Sequence, residues 1–169
     1  MAVVTGAVQS TVVGYPFKIA TGAKAAAADC VKFGEGGVIP FFVNIQNNAT
    51  TVATNDSFRY AQMKATTTYD ADDTSIVYDG GTAYERTTGG YFARNGRTAE
   101  VIFVKADSGS TTTTGTLTVV RGCLGTAAAA MADEDYLFCL NSLVLTGTAT
   151  GTALIGYFAL PEETKATFF

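Results

Sequence analysis

Two acidic clusters are the side chains of this sequence with the types and spacing for chemistry. They are Asp70, Asp72 and Asp73 in TTTYDADDTS, and Asp133, Glu134 and Asp135 in MADEDY. Paired carboxylates serve glycoside hydrolysis, and convergent ones bind calcium. The first cluster lacks the ligand spacing of an EF-hand loop, and the chain has no Trp to form a sugar platform. Both clusters read as solvated turns. The chain has no His, which removes the Ser-His-Asp and Cys-His arrangements and most catalytic zinc sites. There is no phosphate-binding GxxxxGK[ST] motif, and the GEGG run from Gly34 to Gly37 reads as a turn because no long helix follows it. Cys30, Cys123 and Cys139 are odd in number and lack C-x-x-C spacing, so reduced and mostly buried thiols are expected. The triplets at Asn48 and Asn55 match a glycosylation acceptor, a common pattern without a secretory route. No catalytic residue, cofactor or metal site is expected, and the chain does not read as an enzyme.

The side chains that remain suit contact rather than catalysis. Tyr60, Tyr69, Tyr78, Tyr84 and Tyr91 crowd the central third, where an apolar ring with a polar tip suits a subunit seam or a stacked sugar; the seam is favoured. Hydrophobic residues make up 47% of the chain and charged ones only 15%, so much of the surface must be uncharged. Thr, Ala and Gly supply it, in runs such as STTTTGT and TGTATGTA. The net charge is −4 and the bases are scattered, which leaves no footprint for nucleic acid. The start MAVVTGAVQSTVVGYPFK lacks a basic leader, and no apolar run is long enough to span a bilayer, so neither export nor a membrane partner is expected.

The elements that must position these residues are strands. From Val38 to Gln46, Phe41, Val43 and Ile45 alternate with Phe42, Asn44 and Gln46, which predicts a half-buried strand; Pro40 pushes it toward an edge or a bulge. Further strands are expected at Val12 to Ile19, Phe58 to Thr68, Ala99 to Lys105, Gly115 to Arg121, Tyr136 to Leu140, Leu143 to Thr146 and Leu154 to Leu160. The alanine runs at 23–28 and 127–132 are too short and too evenly apolar for a helical layer and read as connectors. The fold expected is all-β, a compact sandwich or small barrel of short strands with an extended N-terminal arm. Three regions follow: the arm at 1–17, an N-terminal β region at 18–70, and a C-terminal β module at 71–169, divided where the acidic turn stretch falls.

Within that module, strand Ala99 to Lys105 is joined to strand Gly115 to Arg121 by DSGSTTTT, too long for a two-residue hairpin and expected to project. Gly122 and Gly125 allow a sharp turn, and Arg121 is placed to brace that turn or to meet Asp133 and Asp135. The stretch from Asp72 to Leu140 resembles a β module of tailed-phage head proteins, also seen in neck and tail proteins. There, a glutamate-led apolar strand is followed by LTVxRGxxGTxAAxxxDGD. The matching residues are Glu100 to Val104, Leu117 to Gly122, Gly125 to Ala128 and Asp133 to Asp135, with Glu134-Asp135 standing for the family's Gly-Asp. A complete major capsid protein of such a family is longer and carries a long helix. The resemblance therefore implies an accessory shell protein.

The function expected is a capsid decoration, or cement, protein. It would be made in the host bacterial cytoplasm, bind the outer surface of the phage head between capsomers, and have the major capsid protein and its own copies, as a homotrimer, for partners. The alternative is a tail, neck or fibre component that recognises a host surface. The uncharged arm reaches on the order of 55 Å if extended at roughly 3.3 Å per residue. It is expected to add a strand to a neighbour, with Val3, Val4, Val8, Val12 and Val13 filling shallow pockets.

Overall fold

Short runs of β-branched and aromatic residues between Gly-, Asp- and Thr-rich turns leave the backbone one economical way to satisfy its hydrogen bonds, which is to pair strands. The computed structural model describes residues 2–3, 7–12, 15–24, 28–33, 36–47, 57–81, 89–146 and 151–160. Its strands are β1 (Ala2–Val3), β2 (Ala7–Val12), β3 (Tyr15–Lys24), β4 (Ala28–Lys32), β5 (Val38–Asn47) and β6 (Ser57–Ala65). They continue with β7 (Ser75–Asp79), β8 (Tyr91–Asn95), β9 (Val101–Asp107), β10 (Gly115–Cys123), β11 (Tyr136–Thr146) and β12 (Gly151–Ala159). No helix occurs among the described residues, and the all-β fold is a small closed barrel with added strands.

An eight-stranded sheet in the order β1-β4-β11-β6-β7-β10-β9-β8 closes on itself because β11 also pairs with β8. The closed part is a barrel of six antiparallel strands. Its long strand β11 makes closure possible. Leu137 to Cys139 pair with both β6 and β8, while Leu143 to Thr146 pair with β4 and β6, across a register shift between Cys139 and Leu143. The two strands expected at Tyr136 to Leu140 and Leu143 to Thr146 are therefore one bulged strand, bent between two neighbours.

Period-2 alternation sorts the barrel wall. Ile102 and Val104 of β9 join Met63, Ile76, Leu117 and Leu137 in the interior, while Val101 and Phe103 face outward to a second cluster with Phe92, Cys123 and Leu140. Burying side chains of this size contributes about 1.5 to 3 kcal/mol each. A separate four-stranded sheet, in the order β2-β3-β12-β5, supplies the third core. Its Val38, Ala153, Ile155 and Tyr157 pack with Val31, Leu143 and Leu145 from β4 and the distal half of β11. One strand thus serves both a barrel and a sandwich.

Several expectations are corrected. The boundary at Asp70 does not divide the sheets: β12 lies between β3 and β5, and β11 pairs with β4 and β6. The arm does not leave the body over the described residues. Val8 and Val12 of β2 stand opposite Ile19 and Tyr15 of β3, and Val3 of β1 stands opposite Lys32 of β4. An uncharged strand-forming segment has found an edge, and the edge belongs to its own chain. The strand expected across Val12 to Ile19 spans the connection between β2 and β3, and part of the first alanine run is strand, in β3 and β4. Pro40 does mark both an edge strand and a register shift. That shift turns both Phe41 and Phe42 outward and breaks the alternation expected of them.

Ala99, in the turn before β9, holds φ at 62°, a left-handed conformation that costs a side-chain-bearing residue about 1 kcal/mol. Its methyl is exposed, so Ala99→Gly loses little packing. We expect this variant to be more stable by about 0.5 kcal/mol, after the greater chain entropy of glycine is subtracted. Urea denaturation of the two proteins measures it; a destabilised variant refutes the strain.

Candidate functional site

The segment that follows β10 folds across one end of the barrel. Met131 exchanges backbone hydrogen bonds with Tyr69, at 2.8 and 3.0 Å, and its side chain is buried among the interior residues. Ala65 N–H donates to the Asp135 carbonyl at 3.0 Å, and Glu134 N–H donates to the Ala65 carbonyl at 2.9 Å. Sharp turns make this path possible. Gly122 and Gly125 hold φ at 64° and 77°, and Glu134 holds φ at 65°.

Glu100 and Arg121 fasten this end. The Arg121 side chain is 5% exposed and that of Glu100 is 0% exposed. Arg121 Nε donates to Glu100 Oε1 and Nη2 to Oε2, both at 2.8 Å, a bidentate pair. Its Nη1 donates to the carbonyls of Asp70 and Asp73, and Nη2 also donates to the Ala129 carbonyl. Glu100 Oε1 accepts the Gly122 N–H, and Oε2 accepts that of Ala129. The full donor set of the guanidinium is engaged, so the pair bridges the turn before β9, β10, the loop after β6 and the loop after β10. Arg121 is the brace expected, but its carboxylate partner is Glu100 rather than Asp133 or Asp135.

A second brace lies beside it. Arg97 Nε and Nη2 donate to Asp135 at 2.8 and 2.9 Å, Asn95 Nδ2 donates at 3.0 Å, and Ala132 N–H donates at 2.9 Å. Burial pushes the Asp135 carboxyl pKa up, but Arg97, Asn95 and the Ala132 N–H outweigh it, and the net shift is downward. Asp135 is thus a buried anchor and not a solvated turn residue. Asp133 and Glu134 are exposed, with Glu134 paired to Lys64. In the first cluster, Asp73 Oδ2 accepts the Asp70 N–H at 2.7 Å and closes a turn. A carboxyl whose folded pKa is depressed stabilises the fold above its unfolded value of about 3.9, and that stability is lost as pH falls through the folded pKa. We expect acid unfolding monitored by circular dichroism to show this loss, and Asp135→Asn to flatten it. An unchanged acid profile in the variant refutes the assignment.

At the loop after β9, Asp107 is buried. Its Oδ1 accepts the Tyr78 hydroxyl at 2.7 Å and the Gly109 N–H at 3.0 Å, and its Oδ2 accepts the Tyr91 hydroxyl at 3.1 Å. The loop expected to project is stitched closed by Thr112 Oγ1, which donates to the Thr114 carbonyl at 2.7 Å, and by Ser108 N–H, which donates to the Thr116 carbonyl. Thr111 to Thr114 are exposed.

The contact candidates are accordingly reassigned. Tyr78 and Tyr91 are fully buried in the barrel, and Tyr69 is buried with its hydroxyl on the Val77 backbone. Tyr60 is half-buried and donates to the Val38 carbonyl at 2.9 Å, and burial pushes its pKa up to about 12. Tyr69, Tyr78 and Tyr91 are core residues, Tyr60 packs against the core, and each of the four hydroxyls has an internal partner. Tyr84, Val4 and Val13 lie outside the described residues; Val3, Val8 and Val12 are placed by backbone pairing alone. Cys123 and Cys139 are buried. No protein-family model and no curated protein matches the chain. Among the described residues no group of metal-ligating side chains converges, and no helix is long and apolar enough to cross a membrane.

Glu100, Arg97 and Asp107 are the residues that composition alone passed over. A signal existed for Glu100, a lone charge inside the apolar run AEVIFV, where burial demands a partner.

Proposed function

We propose that this chain is a structural protein of the tailed-phage head, a decoration protein that binds the outer surface of the capsid and clamps neighbouring capsomers. The observation that carries the reading is the use made of the residues behind the resemblance. Glu100, Arg121, Gly122 and Asp135 brace the barrel end, so the stretch that resembles head proteins serves in this chain as a stiff structural module. The conspicuous buried carboxylates each hold the fold together: Glu100 through Arg121, Asp135 through Arg97, and Asp107 through two tyrosines. A clamp needs stiffness and contact area, and specific contacts of about 1,200 to 2,000 Å² supply its stabilisation without chemistry. Several such contacts on one shell multiply it through avidity.

The test mixes the purified protein with expanded shells of the phage that encodes it and pellets them. Saturable binding with a fixed number of copies per capsomer, and a raised shell melting temperature, are expected. Binding confined to tails, or none at any concentration, overturns the reading in favour of a tail or neck role or of no virion role.

A further inference from the structure

We infer that the outward face of the sheet β2-β3-β12-β5 is an interface between two copies of this chain. Ile39, Phe41, Phe42 and Phe158 on that face are 50%, 51%, 38% and 38% exposed. The register shift in β5 places two consecutive phenylalanines outward, and Phe158 stacks near Phe41 with ring centroids 5.1 Å apart. Gly156 of the central strand lies beneath them. A Cβ there would come within 2.7 Å of the Phe41 ring and 2.8 Å of the Phe42 ring, so both rings rest directly on bare backbone. The result is a held aromatic ridge on a sheet, the kind of apolar patch that marks an interaction surface.

Charge selects the occupant. The molecule carries a net charge of −4, so two copies repel wherever acidic residues face each other. None of the 15 Asp and Glu residues lies in β2, β3, β5 or β12. The charged residues of these strands are Lys18 and Lys24, opposite Tyr157 and Gly151 in register. Thr21, Asn44 and Thr152 are exposed on the same face, and all three carry uncharged side chains. The face therefore offers no complement to a charged partner and no repulsion to its own copy.

Size agrees. Four strands about 4.8 Å apart, of six, ten, nine and ten residues at about 3.3 Å each, present roughly 550 Å² in projection. That is of the same order as the ~800 Å² each partner gives to a standard interface. Two such faces stack about 10 Å apart as sheets do in a sandwich, with a two-fold axis through the ridge. The assembly is a dimer and not the trimer expected from the sequence, and it stands independently of the decoration role.

Sedimentation velocity of the full chain at about 10 µM tests it, with a dimer expected at a dissociation constant near or below that concentration. Asn44→Lys with Thr152→Lys adds like charges at exposed polar sites where the fold tolerates them, and should weaken dimerisation about a hundredfold with an unchanged circular dichroism spectrum. Ile39→Lys gives a second reading at the rim of the same face, and should weaken it in the same direction. A wild-type monomer, a wild-type trimer, or a folded variant that assembles as tightly as the wild type overturns the inference. A monomer that still decorates shells would sink the dimer and leave the proposed function standing.

Discussion

Arg121→Met is expected to destabilise the protein by about 3 to 5 kcal/mol, because it leaves the Glu100 carboxylate buried without its charged partner. For a chain of this size that corresponds to a fall in melting temperature of about 10 °C or more. The methionine keeps most of the side-chain volume, so a cavity is not the cause. Arg121→Lys should recover only part of the loss. A lysine ammonium offers three donors from one point, whereas Arg121 engages two carboxylate oxygens and the carbonyls of Asp70, Asp73 and Ala129 from a planar fork. Adding Glu100→Gln to Arg121→Met removes the unpaired charge and should lessen the defect, giving a coupling energy of the sign that marks a genuine pair. Chemical denaturation of the wild type, Arg121→Met, Arg121→Lys, Glu100→Gln and the double variant measures all of this. If Arg121→Met costs less than about 1 kcal/mol, the pair behaves as an exposed one and the brace is wrong.

The second large effect is expected at Asp107. Asp107→Ala withdraws one acceptor from the Tyr78 hydroxyl, the Tyr91 hydroxyl and the Gly109 N–H, all in a buried setting. Hydrogen bonds to a charged acceptor are worth about 1.5 to 3 kcal/mol each, so a loss of about 3 kcal/mol or more is expected even after relaxation. Tyr91→Phe removes one of these bonds and should cost about 1.5 kcal/mol, the lower end of that range. The loop after β9 depends on the same carboxylate. Gly109 lies so close to the Thr114 carbonyl that an added Cβ would stand 2.0 Å from it, so the loop base packs backbone against backbone with no room for a side chain. Hydrogen exchange at residues 108–116 should therefore accelerate in Asp107→Ala, beyond the change in global stability. Uniform acceleration across the barrel would show instead that the network supports the whole fold and no particular loop.

Both effects lie in residues that the proposed capsid clamp would need to keep stiff. A clamp that yields under load transmits little of its binding energy to the shell it holds. Glu100 with Arg121 ties four chain segments together at one end of the barrel, and Asp107 ties β7, β8 and β9 with the loop after β9. The apolar sheet is attached through β11, which belongs to the barrel in its first half and to the sandwich in its second.

Local pattern determined a good part of this protein. The short alternating runs and the turn residues between them made it all-β, because side chains two apart must share a face. Pro40 marked an edge and a bulge because it lacks an N–H. Glycines at 122 and 125 marked the turn after β10, since φ above zero is cheap only for them. The buried state of Cys123 and Cys139 was legible from their apolar neighbours. Everything that depends on which strand meets which was decided in three dimensions. The pairing of β12 with β3 and β5 joins residues more than a hundred positions apart, and no local period encodes it. Nor could spacing show that Arg121 would reach Glu100, or that Asp135 would reach Arg97. Long-range partners are chosen by barrel closure, which sets strand order and register together. The tyrosines show the same division. Their amphipathic rings suit a seam or a core equally well, and only the positions of Asp107 and of the Val77 and Val38 backbone groups, supplied by distant strands and loops, decided for the core.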